Sequence, residues 1–218
     1  MPLRDLMAEP IATELLNYRI TASSFSDELA PDDEPSSFAT HLPFEVRQGD
    51  AVVARVHALL LRVRLAERNG VSPAELFDSV DQELHELYCA IFDEESESIR
   101  GDIAEPSDFR DVLYIESVKV IPSRRGKRLA LYAVERLRDV FGEGCAVVAL
   151  KAHPLTLEKS KYQDAINHEV FAKPFDARGD AAKAKLRAYW GQIGFTRVGD
   201  TDFMVMDMND EDDAEALS

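Results

Sequence analysis

Cysteine is scarce in this chain: Cys89 and Cys145 are the two among 218 residues. Two thiols so far apart do not make a disulfide framework, and no Cys/His spacing fits a metal site. Both lie in apolar stretches, which predicts buried thiols in a cytoplasmic protein. Long hydrophobic runs are missing too, since none reaches the roughly 18 residues needed to span a bilayer. The opening MPLRDLMAEP lacks the basic-then-apolar order of a secretory signal. Positive charge is in short supply, with Lys and Arg totalling 25 against 41 Asp and Glu, a formal net charge of −16. That balance argues against nucleic acid and anionic membranes as partners. It favours cationic ones, such as amines, basic peptides and polyamines. It also gives a well-solvated surface.

What is present suffices for one packed domain with extensions: 45% hydrophobic residues, including 11 Phe. Residues 1–16 read as a short helix or arm, and residues 18–23 as a strand. A Ser-, Asp-, Glu- and Pro-rich stretch follows that has no core of its own. Residues 1–41 are therefore set apart as an N-terminal arm and acidic loop, and residues 42–208 read as a single domain. Within it, residues 44–47 lead through Gln48, Gly49 and Asp50 into a long strand over 51–65. Val52, Ala54, Val56, Ala58 and Leu60 are expected on one face of that strand, and Val53, Arg55 and His57 on the other. His57 reads as a packed strand residue rather than a catalytic one. Ser72-Pro73-Ala74-Glu75 is a capping box with proline at the first helical position. It opens a helix with an apolar stripe at Leu76, Val80, Leu84, Leu87 and Ile91, and with Asp81, Glu83 and Glu86 on its polar face. An acidic loop over 93–108 ends it.

The chain is organised around residues 111–141. They start as a strand rich in aromatic and branched residues and break at Pro122. They pass through Arg124-Arg125-Gly126-Lys127-Arg128 and continue as a helix with Leu129, Ala133, Leu137 and Val140 on one stripe. A helix start carries unpaired N–H groups and about half a positive charge, so it suits an anion. Four basic side chains within five residues add to that field. This unit is a candidate diphosphate cradle. The apolar run 145–150 then reads as a strand buried on both faces. Residues 153–179 form an insertion that serves as a lid, a pocket wall or a mere excursion. Asp180 is expected to cap a helix ending at Gly194. Residues 196–198 and 202–208 read as closing strands, and 209–218 as a disordered acidic tail.

The run over 118–130, Val-Lys-Val-Ile-Pro-Ser-Arg-Arg-Gly-Lys-Arg-Leu-Ala, resembles motif A of the GNAT superfamily of N-acetyltransferases. That motif reads Val-x-Val-x-Pro-x-x-Arg-Gly-x-Gly-x-Gly/Ala. Val118, Val120, Pro122, Arg125, Gly126 and Ala130 match it, and Arg128 stands where the family has a second glycine. Residues 188–195, Ala-Tyr-Trp-Gly-Gln-Ile-Gly-Phe, resemble a second signature, Leu/Phe-Tyr-x-x-x-Gly-Phe. The likeness covers about residues 110–208. The strand–strand–helix order before it departs from the family's strand–helix–helix–strand order.

The resemblance implies an α+β fold with a mixed central sheet of six to seven strands flanked by helices. It implies acetyl-CoA as cosubstrate, no metal, and a small-molecule or peptide amine as acceptor. Two copies pairing as a homodimer are compatible with it. Val118 and Val120 would pair with pantetheine as an added strand. The amides of Arg125, Gly126, Lys127, Arg128, Leu129 and Ala130 would take the pyrophosphate, and the 145–150 strand would splay away to admit the thioester. The family's acidic tyrosine aligns with Trp190. Tyr189 is the nearest phenol, about 100° away round the helix. Glu116 is the first candidate base, on the reading that it shares strand parity with Val118 and Val120; His153 is the second. Two other readings stand beside an acetyltransferase: a CoA-binding module of this fold with weakened catalysis, and an acidic protein that binds a basic partner.

Overall fold

In a computed structural model, which describes residues 16–20, 23–24, 34–154 and 179–209, the β-branched and aromatic runs pair into one open, mixed sheet. The expected arm over 1–15, the acidic stretch 25–33, most of the insertion (155–178) and the tail 210–218 lie outside the described residues. The strands are β1 (Leu16–Ile20), β2 (Ser23–Ser24), β3 (Ala39–Gln48), β4 (Ala51–Leu61), β5 (Asp111–Val120), β6 (Cys145–Lys151), β7 (Thr196–Arg197) and β8 (Phe203–Asp207). Seven follow the order β1-β3-β4-β5-β6-β8-β7, and β2 pairs beside them with β3. The helices are α1 (Val63–Arg68), α2 (Pro73–Val80), α3 (Gln82–Ile91), α4 (Leu129–Phe141) and α5 (Asp180–Trp190). The fold is α+β with a mixed sheet flanked by helices, as expected, and it is consistent with a GNAT-like architecture. No described helix is long and apolar enough to cross a membrane.

Alternation along β5 divides the core. Leu113 and Ile115 face α4, together with Ala54, Val56, Val148, Leu150, Met204 and Trp190. Val112 and Tyr114 face the other way, against Leu84, Leu87 and Ile91 of α3. β5 and β6 are the parallel pair, so the chain must cross over between them, and α4 makes that crossover. Its Leu129, Leu131, Ala133, Val134 and Leu137 are buried, but Val140, expected on the same stripe, is 43% exposed.

Several local expectations are corrected. The 51–65 strand stops at Leu61, because Val63–Arg68, rich in helix-forming Leu, Ala, Glu and Arg, turns into α1. Val53 joins the cluster that holds Ala54, since a bulge where Val46 pairs with Ala54 and Arg47 with Val52 makes Val53 the extra residue. The single helix expected over 73–91 is two. Asp81 leaves helical geometry (φ −171, ψ 169), and its Oδ1 accepts from Leu84 N at 2.9 Å, capping α3 rather than decorating a polar face. Gly179, not Asp180, is the N-cap of α5, and Asp180 sits inside the first turn. Cys145 is buried as expected, whereas Cys89 is exposed.

Candidate functional site

The β5–β6 ladder runs from the Asp111↔Cys145 pair to Ile115↔Leu150 and stops there. Beyond that point, residues 117–120 of β5 pair with β4. Ile121 N donates to Val53 O at 3.2 Å, so odd-numbered residues of this segment point their N–H and C=O groups at β4. By alternation, those of Val118 and Val120 point toward the side that β6 has left. Among the described residues no strand pairs with that side, so a length of strand edge lies open next to the turn into α4.

That turn has a constrained backbone. Gly126 lies at φ +78 and Arg128 at φ 58, ψ 12, both left-handed. A Cβ at Gly126 would meet nothing within 4 Å, so the angle, not crowding, asks for glycine there. Arg128 holds the same kind of angle with a side chain attached, at a cost of about 1–2 kcal/mol. The conformation that a glycine would take easily thus survives at the position where the resembled motif has one.

α4 begins without a side-chain cap and without an acid in its first turn. The contrast lies within the chain. α2 is closed by its box, Ser72 N donating to Glu75 Oε2 (2.9 Å) and Glu75 N to Ser72 Oγ (3.2 Å), and α3 is closed by Asp81. Exposed Arg125 and Arg128 and half-buried Lys127 surround the α4 entrance, and Leu129 behind it is buried. Arg124 is used otherwise: its Nη2 donates to Gln48 Oε1 at 2.6 Å and ties the turn to the β3–β4 hairpin. Arg125 Nε donates to Val120 O at 3.1 Å, which lays its guanidinium along the open edge.

Tyr189 on α5 reaches the same place. Burial pushes its hydroxyl pKa up, while the amides of Leu131 and Ala130 and the Arg128 charge act against that rise. Tyr189 therefore lies close to the first turn of α4. Trp190, the next residue, is 7% exposed and packs edge-on against Phe195.

Glu116 departs from expectation. His57 pairs with Ser117 and Ala58 with Ile115, so Glu116 is the extra residue of a bulge. The bulge shifts the alternation: Val118 and Val120 pack with Leu113 and Ile115, on the α4 face. The Glu116 charge is instead felt at the Tyr114 hydroxyl, on the α3 face. Its expected shared parity with Val118 and Val120 does not hold.

The α3 face carries polar groups that sequence reading did not gather. Tyr114 is 2% exposed, and its hydroxyl donates to Glu83 Oε1 at 2.5 Å. Burial, then Glu83 and Glu116, push its pKa well up, so it stays protonated. Lys151 Nζ lies 3.0 Å from Glu86 Oε2 and 3.3 Å from Glu83 Oε2, over the Phe203 ring. Burial lowers the lysine's pKa, but the two carboxylates more than offset that and hold it cationic. The available signal was the i, i+3 spacing of Glu83 and Glu86. What they face could not be read locally.

His153 follows β6, is exposed, and sits with Nδ1 3.1 Å from Pro154 O. It turns into its own loop. Of the residues expected at the site, Val118, Val120, Arg125, Gly126, Lys127, Arg128, Leu129, Ala130 and Tyr189 gather where β5 meets α4. Glu116 lies on the opposite sheet face, one residue from the open edge, and His153 lies at the exit of β6. No group of three or more His, Cys, Asp or Glu among the described residues is arranged to hold a metal ion. No family model matches this chain, and no curated protein matches it either.

Proposed function

We propose that this protein is a GNAT-type N-acetyltransferase that moves an acetyl group from acetyl-CoA to a primary amine by direct attack. The observation that carries the reading is the open β5 edge at Val118 and Val120 beside the uncapped, arginine-rich start of α4. An extended pantetheine arm suits such an edge, and a diphosphate suits such a helix start. On this reading, Arg125, Lys127 and Arg128 with the amides from Gly126 to Ala130 hold the nucleotide end.

The amine approaches from the α3 face, where Glu83, Glu86 and Glu116 attract a cation. Glu116 takes the ammonium proton, so that nitrogen can attack the thioester carbonyl. As the N–C bond forms, the C–S bond breaks, and CoA leaves as a thiolate that takes a proton from water. Trp190 has no acidic proton to give, and burial pushes the Tyr189 hydroxyl pKa up. The lack of a placed acid slows release by about 10²- to 10⁴-fold where such an acid normally contributes. The pair of unbridged cysteines supports a cytoplasmic setting. Trp190 at the position of the family's tyrosine favours a second reading, a CoA-binding module with weak or no catalysis.

Thiol release from acetyl-CoA across small amines, polyamines and lysine peptides separates the two. The transferase reading predicts amine-dependent release, with kcat about tenfold lower or worse in Glu116→Gln. CoA binding without amine-dependent release selects the module instead.

A further inference from the structure

We infer that Cys89, His85 and Asp78 form a thiol-exchange site on the outer side of α3, remote in function from the β5–α4 entrance. Leu84, Leu87, Tyr88 and Ile91 turn α3 inward onto the sheet. His85 and Cys89, four residues apart, share another face of the helix. Cys89 is exposed, and its Sγ lies 3.7 Å from His85 Nε2. The other ring nitrogen, Nδ1, is buried without a hydrogen-bond partner among the described residues, and Asp78 Oδ1 of α2 lies 3.5 Å from it. A carboxylate facing Nδ1 favours the tautomer with the proton there. Nε2 then offers its lone pair to the Cys89 thiol.

Cys89 lies among acidic groups. It sits in the last turn of α3, at the negative end of the helix dipole. Beside it, burial first and then Glu97, Cys89, Glu94 and Asp93 push the Tyr88 hydroxyl pKa up. Arg100, whose Nη1 donates to Ala90 O, is tied to Asp102 at 2.6 Å. Glu86 lies on the same helix and is exposed. Against this acidic field, the imidazole is the group placed to take the thiol proton and stand as counter-charge to the thiolate.

The chemistry is exchange with a small disulfide. The Cys89 proton passes to Nε2, and the thiolate attacks one sulfur of the disulfide. A protein–S–S bond forms as the original S–S bond breaks, and the leaving thiolate takes the proton from the imidazolium. Cys145 is an internal control. It is 2% exposed, its Sγ donates to Phe141 O at 3.3 Å, and burial pushes its pKa up to about 12.

The test uses the full chain and the neutral disulfide 4,4′-dithiodipyridine, following released thiopyridone from pH 5 to 9. The site predicts one reacting thiol per folded chain, abolished by Cys89→Ser. His85→Ala should slow it about tenfold at pH 7, with Asp78→Asn in between. Silence of Cys145 confirms that each variant is folded, and His85→Gln takes the place of His85→Ala should that thiol become reactive. A histidine variant that keeps the parent rate and profile overturns the inference, as does an unreactive Cys89 in the parent.

Discussion

Arg128 keeps a left-handed backbone at φ 58 where glycine would be relaxed, and it does so beside a helix start that no side chain caps. The strain and the charge are separable. Arg128→Gly removes the strain but gives back some unfolded-state freedom, so it should stabilise the fold by up to about 1 kcal/mol, or about 2–4 °C in Tm. The same change should weaken CoA binding, because a cation leaves the cradle. Thermal unfolding with and without CoA reads both effects. That the resembled motif has a glycine at this position was legible in the sequence; the left-handed angle Arg128 adopts was not. Nor was the face on which Glu116 lies. Alternation along β5 alone puts it with Val118 and Val120, and only pairing with β4, where Ser117 meets His57 and Ile115 meets Ala58, reveals the extra residue.

At the scale of elements, α5 brings Tyr189 to the α4 entrance, and Asp202 holds α5 in place. Its carboxylate accepts from Lys183 Nζ and Arg187 Nη2, each at 2.5 Å, and its carbonyl accepts from Ala152 N beyond β6. Burial pushes the Asp202 pKa up, but Lys183 and Arg187 pull harder and leave it below the ordinary 3.8. A carboxylate depressed in the folded state contributes stability above its unfolded pKa, and that contribution is lost as pH falls through the folded value. Asp202→Asn should therefore cost about 1–2 kcal/mol at pH 7, with the gap to the parent closing below about pH 4. Denaturant unfolding at several pH values checks this. The β5–α4–β6 unit and the closing strands were readable because period and punctuation are local signals. The division of 73–91 into α2 and α3 was harder, because the stripe from Leu76 to Ile91 keeps step across the break. Asp81 acts as a cap that the apolar periodicity hides.

Over the whole molecule, a chain of net charge −16 gathers Arg124, Arg125, Lys127 and Arg128 at the turn beside the far end of β5. The sheet separates two environments: a cationic entrance at the α4 start, and an acidic α3 face with Glu83, Glu86 and Glu116. Strand order is set by partners distant in sequence and was not legible; the parallel pairing of β5 with β6 was anticipated by the resemblance, not by the residue pattern. The proposed activity requires that this entrance hold a CoA diphosphate. Isothermal titration of CoA into the full chain tests this directly, with Arg125→Glu alongside. The account predicts binding by the parent and a loss of about tenfold or more in the variant. No binding by the parent, or equal affinity in both, would contradict it.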